Sequence, residues 1–393
     1  MPNLKKKYLT FFALLLSASI ALSTHSTLAL DSVAQPNSET PATSTTEPTE
    51  PSVTPKPPAD NSTLNLSLEE ALKAMETGNS ALKLMDSKLL ILDKQNQQAL
   101  ARHDANIAVV DEDSKKDRDL NYKRSQWTLD NAKHDRETQL KALKVQITNE
   151  YERILTLQQQ ADNFKTQLAN LDTVISQVNL QIELGLKVPS ELYSYTAQRS
   201  RLEAAQKAII NSISSSMITL KQDLGVDINR DVVLTSKLIQ YSKFDDSDLD
   251  NKIKKAIENN FEIPKIKQDI DISKIEYDID FYYSDLMVAD QIQIGIEDKK
   301  ATLANLPVKL EVDFRTAYNT LKTLENTVEA DKLTVEADQI NIDVMQKNIE
   351  VGKSSSLEMI ALQNTLLNDQ YSLQQDINAY MTATANFQNS LDN

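Results

Sequence analysis

Cysteine is absent from this 393-residue chain. That removes disulfides, thiol catalysis, Cys-ligated zinc and a lipid anchor on a modified Cys. Glycine is scarce, with five residues, and seven of the 11 prolines fall between positions 31 and 60. Beyond residue 60 only Pro189, Pro264 and Pro307 remain. With so few breakers, the helices there must be long. Of three histidines, His103 and His134 lie in charged, exposed-looking segments, and neither is spaced with a second ligand as a metal site requires. There is no nucleophile elbow, phosphate loop or His cluster, so neither an enzyme nor a cofactor is expected. No 20-residue apolar run follows residue 30, so no transmembrane helix is expected. Positive charge is also in deficit, with a formal net charge of −15. That excludes nucleic acid as a partner, since binding it needs a basic footprint.

The first 29 residues read as an export signal. Lys5, Lys6 and Lys7 precede the apolar run TFFALLLSASIAL at 10–22, and Thr27-Leu28-Ala29 offers a cleavage site after Ala29. Removing three Lys and no acid takes the formal charge from −15 to −18. Residues 30–63 are rich in Pro, Thr, Ser and Glu, which cannot bury a core, and read as a disordered tether. Beyond them the apolar spacing is helical. Ile147, Tyr151, Ile154, Phe164, Leu168, Leu171, Ile175, Val178 and Ile182 advance mostly by three, four or seven, close to a coiled-coil repeat. A second such run extends from Leu192 to Leu224, with Gly185 between the two and Gly225 after them. Two helices joined by so short a connection must be antiparallel neighbours. The polar runs Gln158-Gln159-Gln160 and Ser214-Ser215-Ser216 fit one solvated face of a globular bundle or the lumen and exterior of a tube wall equally well.

The pattern recurs 167 residues later. Tyr151 matches Tyr318, Ile154 matches Leu321, IELG ending at Gly185 matches IEVG ending at Gly352, and Leu224 matches Leu391. The segment at 66–82 resembles that at 248–263. The expected organisation is therefore all-α: a helical repeat at 64–230, a connector at 231–244 and a second helical repeat at 245–393. Each repeat holds a first helix and a long antiparallel, coiled-coil-like hairpin. Such a hairpin cannot bury both flanks alone, so association with further copies is expected. Asp246, Asp248 and Asp250 read as acids at a helix start rather than a calcium loop. The glycine that loop needs is replaced by Asn251, and Glu258 falls one place late.

The opening LSLEEAL (66–72) and the two turns carry a resemblance. The turns read Gly185-Leu186-Lys187-Val188-Pro189-Ser190-Glu191-Leu192 and Gly352-Lys353-Ser354-Ser355-Ser356-Leu357-Glu358-Met359. With this helical pattern they resemble the TolC-like outer-membrane efflux family over most of 64–393. The resemblance implies a trimer whose hairpins form a periplasmic tunnel and whose strands form an outer-membrane barrel. It also implies hairpin tips that meet an adaptor and, through it, an inner-membrane exporter. The tip residues it points to are Gly185, Leu186, Val188, Ser190, Glu191, Gly352, Lys353, Ser354, Ser355 and Glu358. Helix capping accounts for several of the same residues: Ser355 and Glu358 have capping-box spacing, and Pro189 suits a first turn.

The pattern departs from the family where barrel strands belong. Residues 111–141 hold eight acids and eight bases without alternation and read as a solvated helix or polar loop. In the second repeat QIQIGI, with Ile292, Ile294 and Ile296 alternating, permits one short strand. The expectation is a TolC-like fold with little or no barrel, acting as a passive duct component of an efflux or secretion assembly in the cell envelope, at the outer membrane or in the periplasm. The alternative is an exported coiled-coil rod of the envelope without transport activity. Intact-mass measurement of the chain purified from an exporting host should place the mature N-terminus at Leu30. A retained leader would favour the anchored rod.

Overall fold

The computed structural model describes residues 63–283 and 286–392. The expected signal, and all of the expected tether except Thr63, lie outside the described residues. In chain order the elements are β1 (Leu64–Leu66), α1 (Leu68–Gly78), α2 (Ser80–Asp104), α3 (Glu112–Asp119), α4 (Asn121–Glu183), α5 (Ser190–Leu224), β2 (Val232–Leu234), α6 (Leu249–Asn259), α7 (Glu262–Tyr283), α8 (Leu286–Glu350) and α9 (Ser356–Leu391). The fold is all-α apart from β1 and β2, which pair in parallel with Leu64 opposite Val232. Among the described residues no other strand occurs, and no helix is long and apolar enough to cross a membrane.

Helix α4 extends well before the apolar run that begins at Ile147. At 63 residues α4 runs roughly 95 Å. It begins within the charged 111–141 stretch, which is helical in α3 and α4. Ion pairs explain why so polar a sequence stays folded: Arg136 meets Asp86 of α2 at 2.8 Å, Arg124 meets Glu276 of α7 at 2.5 Å, and Lys116 meets buried Asp280 of α7 at 2.7 Å. Trp127 packs by the Leu120–Ile272–Ile279 cluster and donates to the Lys265 carbonyl at 3.1 Å. The strand allowed at QIQIGI is not formed, because these residues lie inside α8. There Ile296 is 2% exposed and Ile294 is 69% exposed, as one face of a helix requires. The two histidines are half-buried rather than exposed. His103 stacks on Tyr122, with ring centres 3.9 Å apart, and His134 stacks on Phe261 at 3.8 Å.

Two apolar cores sit at the waist. One joins α1, α4 and α5 through Ala71, Met75, Ile147, Tyr151, Leu220 and Leu224. The other joins α6, α8 and α9 through Phe244, Ile253, Phe314, Leu321, Tyr380 and Phe387. Tyrosine hydroxyls tie the irregular chain between them to the helices. Tyr151 is fully buried; its hydroxyl donates to the Leu66 carbonyl at 2.7 Å and accepts from the Thr235 and Ser236 amides at 3.1 and 3.0 Å. The Tyr380 hydroxyl accepts from the Phe244 amide at 2.9 Å, and that of Tyr318 donates to Asp246 at 2.7 Å. Asp248 stands before the first turn of α6, and Asp250 meets Arg315 at 3.1 Å, so the three aspartates turn to separate partners. Glu152 accepts from the Ile239 amide at 2.8 Å, while burial raises its pKa. Tyr151→Phe would leave the Ser236 amide and a fully buried core position without the hydroxyl, while the Thr235 amide and the Leu66 carbonyl keep each other at 3.0 Å. It should destabilise the chain by about 2 kcal/mol, read by chemical denaturation, with helicity intact in dilute buffer.

Candidate functional site at the hairpin tips

Helices α4–α5 and α8–α9 form two antiparallel hairpins, and α4 lies against α9. The α4–α9 contact is polar. Asn163 donates to the Leu367 carbonyl at 3.1 Å, Gln167 to Asn368 at 3.0 Å, Asn170 to Asn364 at 3.2 Å, and Asn378 to Thr156 at 2.8 Å. Gln160, expected to be solvated, is instead buried here, and Ser216 of the second polar run is buried as well. Advance along α4 is matched by retreat along α9, so the end of α4 meets the start of α9. Leu357 and Ile360 accordingly pack with Val178, Ile182 and Tyr195. Both glycine turns thus stand at the same end of the molecule.

The turns share one backbone design. Gly185 and Gly352 adopt φ of 73° and 70°, the left-handed region that glycine enters without strain. At the first turn the Gly185 amide donates to the Ile182 carbonyl at 2.9 Å and the Leu186 amide to the Gln181 carbonyl at 2.8 Å. At the second, Gly352 donates to Ile349 at 2.9 Å and Lys353 to Asn348 at 2.8 Å. This is the Schellman closure, which satisfies helix-end carbonyls. Added Cβ atoms at either glycine would meet nothing within 4 Å, so the constraint is conformational and the turns are sterically open.

The returning helices start differently. Ser355 and Glu358 form the expected capping box: the Glu358 amide donates to Ser355 Oγ at 3.4 Å, and the Ser355 amide to Glu358 Oε2 at 2.9 Å. Pro189 precedes the first turn of α5 instead of sitting within it, and α5 has no side-chain cap. Glu191 instead pairs with Lys187 at 3.0 Å, and this bond raises the Lys187 pKa. Leu186 is 72% exposed and Val188 58%, while Ser190, Gly352 and Lys353 are exposed and Ser354 is half-buried. Three exposed neighbours escaped the sequence reading: Leu184, Tyr193 and Val351. Their signal was available, since each is an apolar residue at or beside a helix end and off the phase of the apolar seam.

Long helices paired in two side-by-side hairpins, with open turns at one end, define the fold of this part of the chain. Solved structures bear this out at the level of fold. A membrane protein of Pseudomonas aeruginosa superposes with a TM-score of 0.63 at 10% identity, over 84% of this chain and 91% of that one. The CmeC outer membrane channel of Campylobacter jejuni gives 0.61 at 10% identity, over 82% and 85%. The outer membrane protein VceC of Vibrio cholerae gives 0.60 at 10% identity, over 82% and 94%. No family profile and no curated protein matches the sequence. The chain has the TolC-like helical fold, and its described residues form no barrel. Ser355→Ala removes the α9 cap and should cost about 1 kcal/mol in a denaturant titration. Leu186→Ser, at an open turn, should stay within about 0.5 kcal/mol.

Proposed function

We propose that the chain is an exported, TolC-like duct component of an efflux or secretion assembly in the cell envelope, passing substrate passively through an oligomer of its hairpins. The observation that carries this reading is the outer flank of α8. Leu333, Ile340 and Val344 are all exposed, and Val351 continues the line just beyond the helix. At 100° per residue they fall about half a turn around the helix from the residues facing α9. Within one chain α4 and α9 cover each other, so α5 and α8 are the free flanks, and α5 exposes Tyr193 and Ile218. A stripe with coiled-coil spacing on a free flank calls for a partner helix. A second copy supplies one in the same orientation, and repetition closes a ring; the resemblance makes it a trimer.

The two halves are read as tandem copies. α1 and α6 are both 11 residues long, and α4 and α8 are 63 and 65. The tips, Gly185 to Glu191 and Gly352 to Glu358, would be the docking surface for an adaptor, with Leu186, Val188, Lys353 and Ser354 offered to it. The rod reading draws on the scarcity of strands among the described residues, since a rod needs no barrel.

Light scattering on the purified mature chain should give a multiple of the single-chain mass. Leu333→Glu with Ile340→Glu should return it to one chain with helicity unchanged. Leu186→Glu with Lys353→Glu should leave assembly intact and weaken co-purification with the adaptor. A chain that stays single while fully helical would sink the duct and leave the rod.

A further inference from the structure

The two hairpins differ in what fills their seams. In the first, Phe164, Leu171, Leu202 and Ile209 occupy four positions that come together as the helices run antiparallel. The residues 167 positions later are Asp331, Asp338, Asp369 and Asp376. These acids meet in two pairs across α8–α9, Asp376 against Asp331 and Asp369 against Asp338, one heptad apart. Asp331 Oδ2 and Asp338 Oδ2 are buried and find no hydrogen-bond partner. Ionised carboxylates only accept, so each pair has two acceptors and no donor until one member binds a proton.

Cations from the surrounding elements are engaged elsewhere. On α8, Lys332 meets Glu329 at 3.1 Å and lies 3.5 Å over the Tyr241 ring, and Lys322 meets Glu325 at 2.7 Å. From the waist segment Lys243 meets Glu325 at 2.9 Å. On α4, Arg153 meets Glu150 at 3.7 Å and lies by Tyr371 of α9. α9 itself contains no Lys, Arg or His. Residues 329–376 carry nine acids and three bases, whereas 162–209 carry five of each. The field over the paired acids is therefore negative, apart from Lys332, Lys347 and Lys353.

We propose that the α8–α9 seam is a proton-operated clasp. Asp331–Asp376 and Asp338–Asp369 hold this hairpin shut when each pair shares a proton, and loosen it when all four ionise. Like charges in contact cannot both ionise cheaply, and a shared proton turns the repulsion into a hydrogen bond. Burial, then the facing carboxyl, pushes Asp369 from the ordinary 3.8 up to about 6, and Asp376 likewise. The folded hairpin thus binds protons more readily than the unfolded chain. The stabilisation is greatest in acid and is lost as pH rises from the ordinary carboxylate value through about 6. Use of the clasp as a gate rests on the duct reading; the titration itself does not.

Hydrogen exchange on the mature full chain, corrected for intrinsic rates, tests it. Protection over 329–376 should fall by about tenfold or more between about pH 5 and about pH 7.5, while 162–209 stays constant. Asp369→Asn with Asp376→Asn supplies permanent donors and should keep 329–376 protected at both pH values. Should that variant lose helicity, Asp331→Asn with Asp338→Asn tests the same pairs from α8. Equal wild-type protection at both pH values overturns the clasp, as does a pH dependence that survives the amide variant. Intact titration without any change in channel conductance counts against the gate alone, and a chain that conducts at neither pH counts against the duct reading.

Discussion

The polar seam between α4 and α9 is the contact on which everything else is arranged. It runs between the α4–α7 contacts and the packing of Leu357 and Ile360 on the first hairpin, and it is the contact there that specifies residue-by-residue register. Amides from Asn163, Gln167 and Asn170 meet specific partners on α9. A slip of one position would leave buried amides unpaired, each costing about 1–3 kcal/mol. An apolar seam would hold the hairpins together at several registers. The amide seam selects one, in the way that a buried Asn fixes register in a coiled coil. That register sets the two glycine turns level at one end, and only level turns make a common surface.

At the waist the same problem is solved with tyrosines. The connector from β2 to α6 has little secondary structure, so its backbone groups need partners from outside. Tyr151 on α4 and Tyr380 on α9 supply them from within the two apolar cores. Each ring fills core volume while its hydroxyl reaches backbone. The connector is thereby fastened to the same two helices that form the seam. Gly78, at the end of α1, and Gly225, just past α5, lie so close that a side chain on either would overlap the backbone of the other segment.

Much of this was legible in the sequence because it depends on local rules. Long helices follow from missing breakers, the turns from Gly185 and Gly352, and the α9 start from Ser355 and Glu358. What was not legible depends on partners distant in sequence. QIQIGI alternates like a strand, yet Ile292 and Ile296 are also spaced as neighbours on one helix face. Six residues cannot separate the two periods, and the helical sequence on both sides decides. Residues 111–141 have no apolar period, and their helix is stabilised by Asp86, Glu276 and Asp280 on α2 and α7. Gln160 is chemically a surface residue, buried only because α9 presents polar groups opposite it. At the tips the backbone was legible, but Pro189 falls one place before the first turn of α5, since a capping role depends on where the first helical residue falls.

The two hairpins share a backbone design but not a seam chemistry, and the placement of the difference has mechanical consequences. The acid pairs of α8–α9 do not run the length of the hairpin. On the waist side they are followed by Val328, Ile377 and Tyr380, all buried. On the tip side Met359 is buried, and Leu357 and Ile360 pack into the first hairpin. The carboxyl pairs are thus bracketed by apolar contacts that do not titrate. Ionisation weakens the middle of the hairpin while both ends stay anchored, one to the core and one to α4. A helix pair weakened in its middle bows instead of separating. Hairpin 1, with Leu171 and Leu202 in the matching layer, has no such soft section and acts as the fixed member. One chain therefore carries a stiff stave and a compliant one, held in register by a seam that neither deformation needs to break.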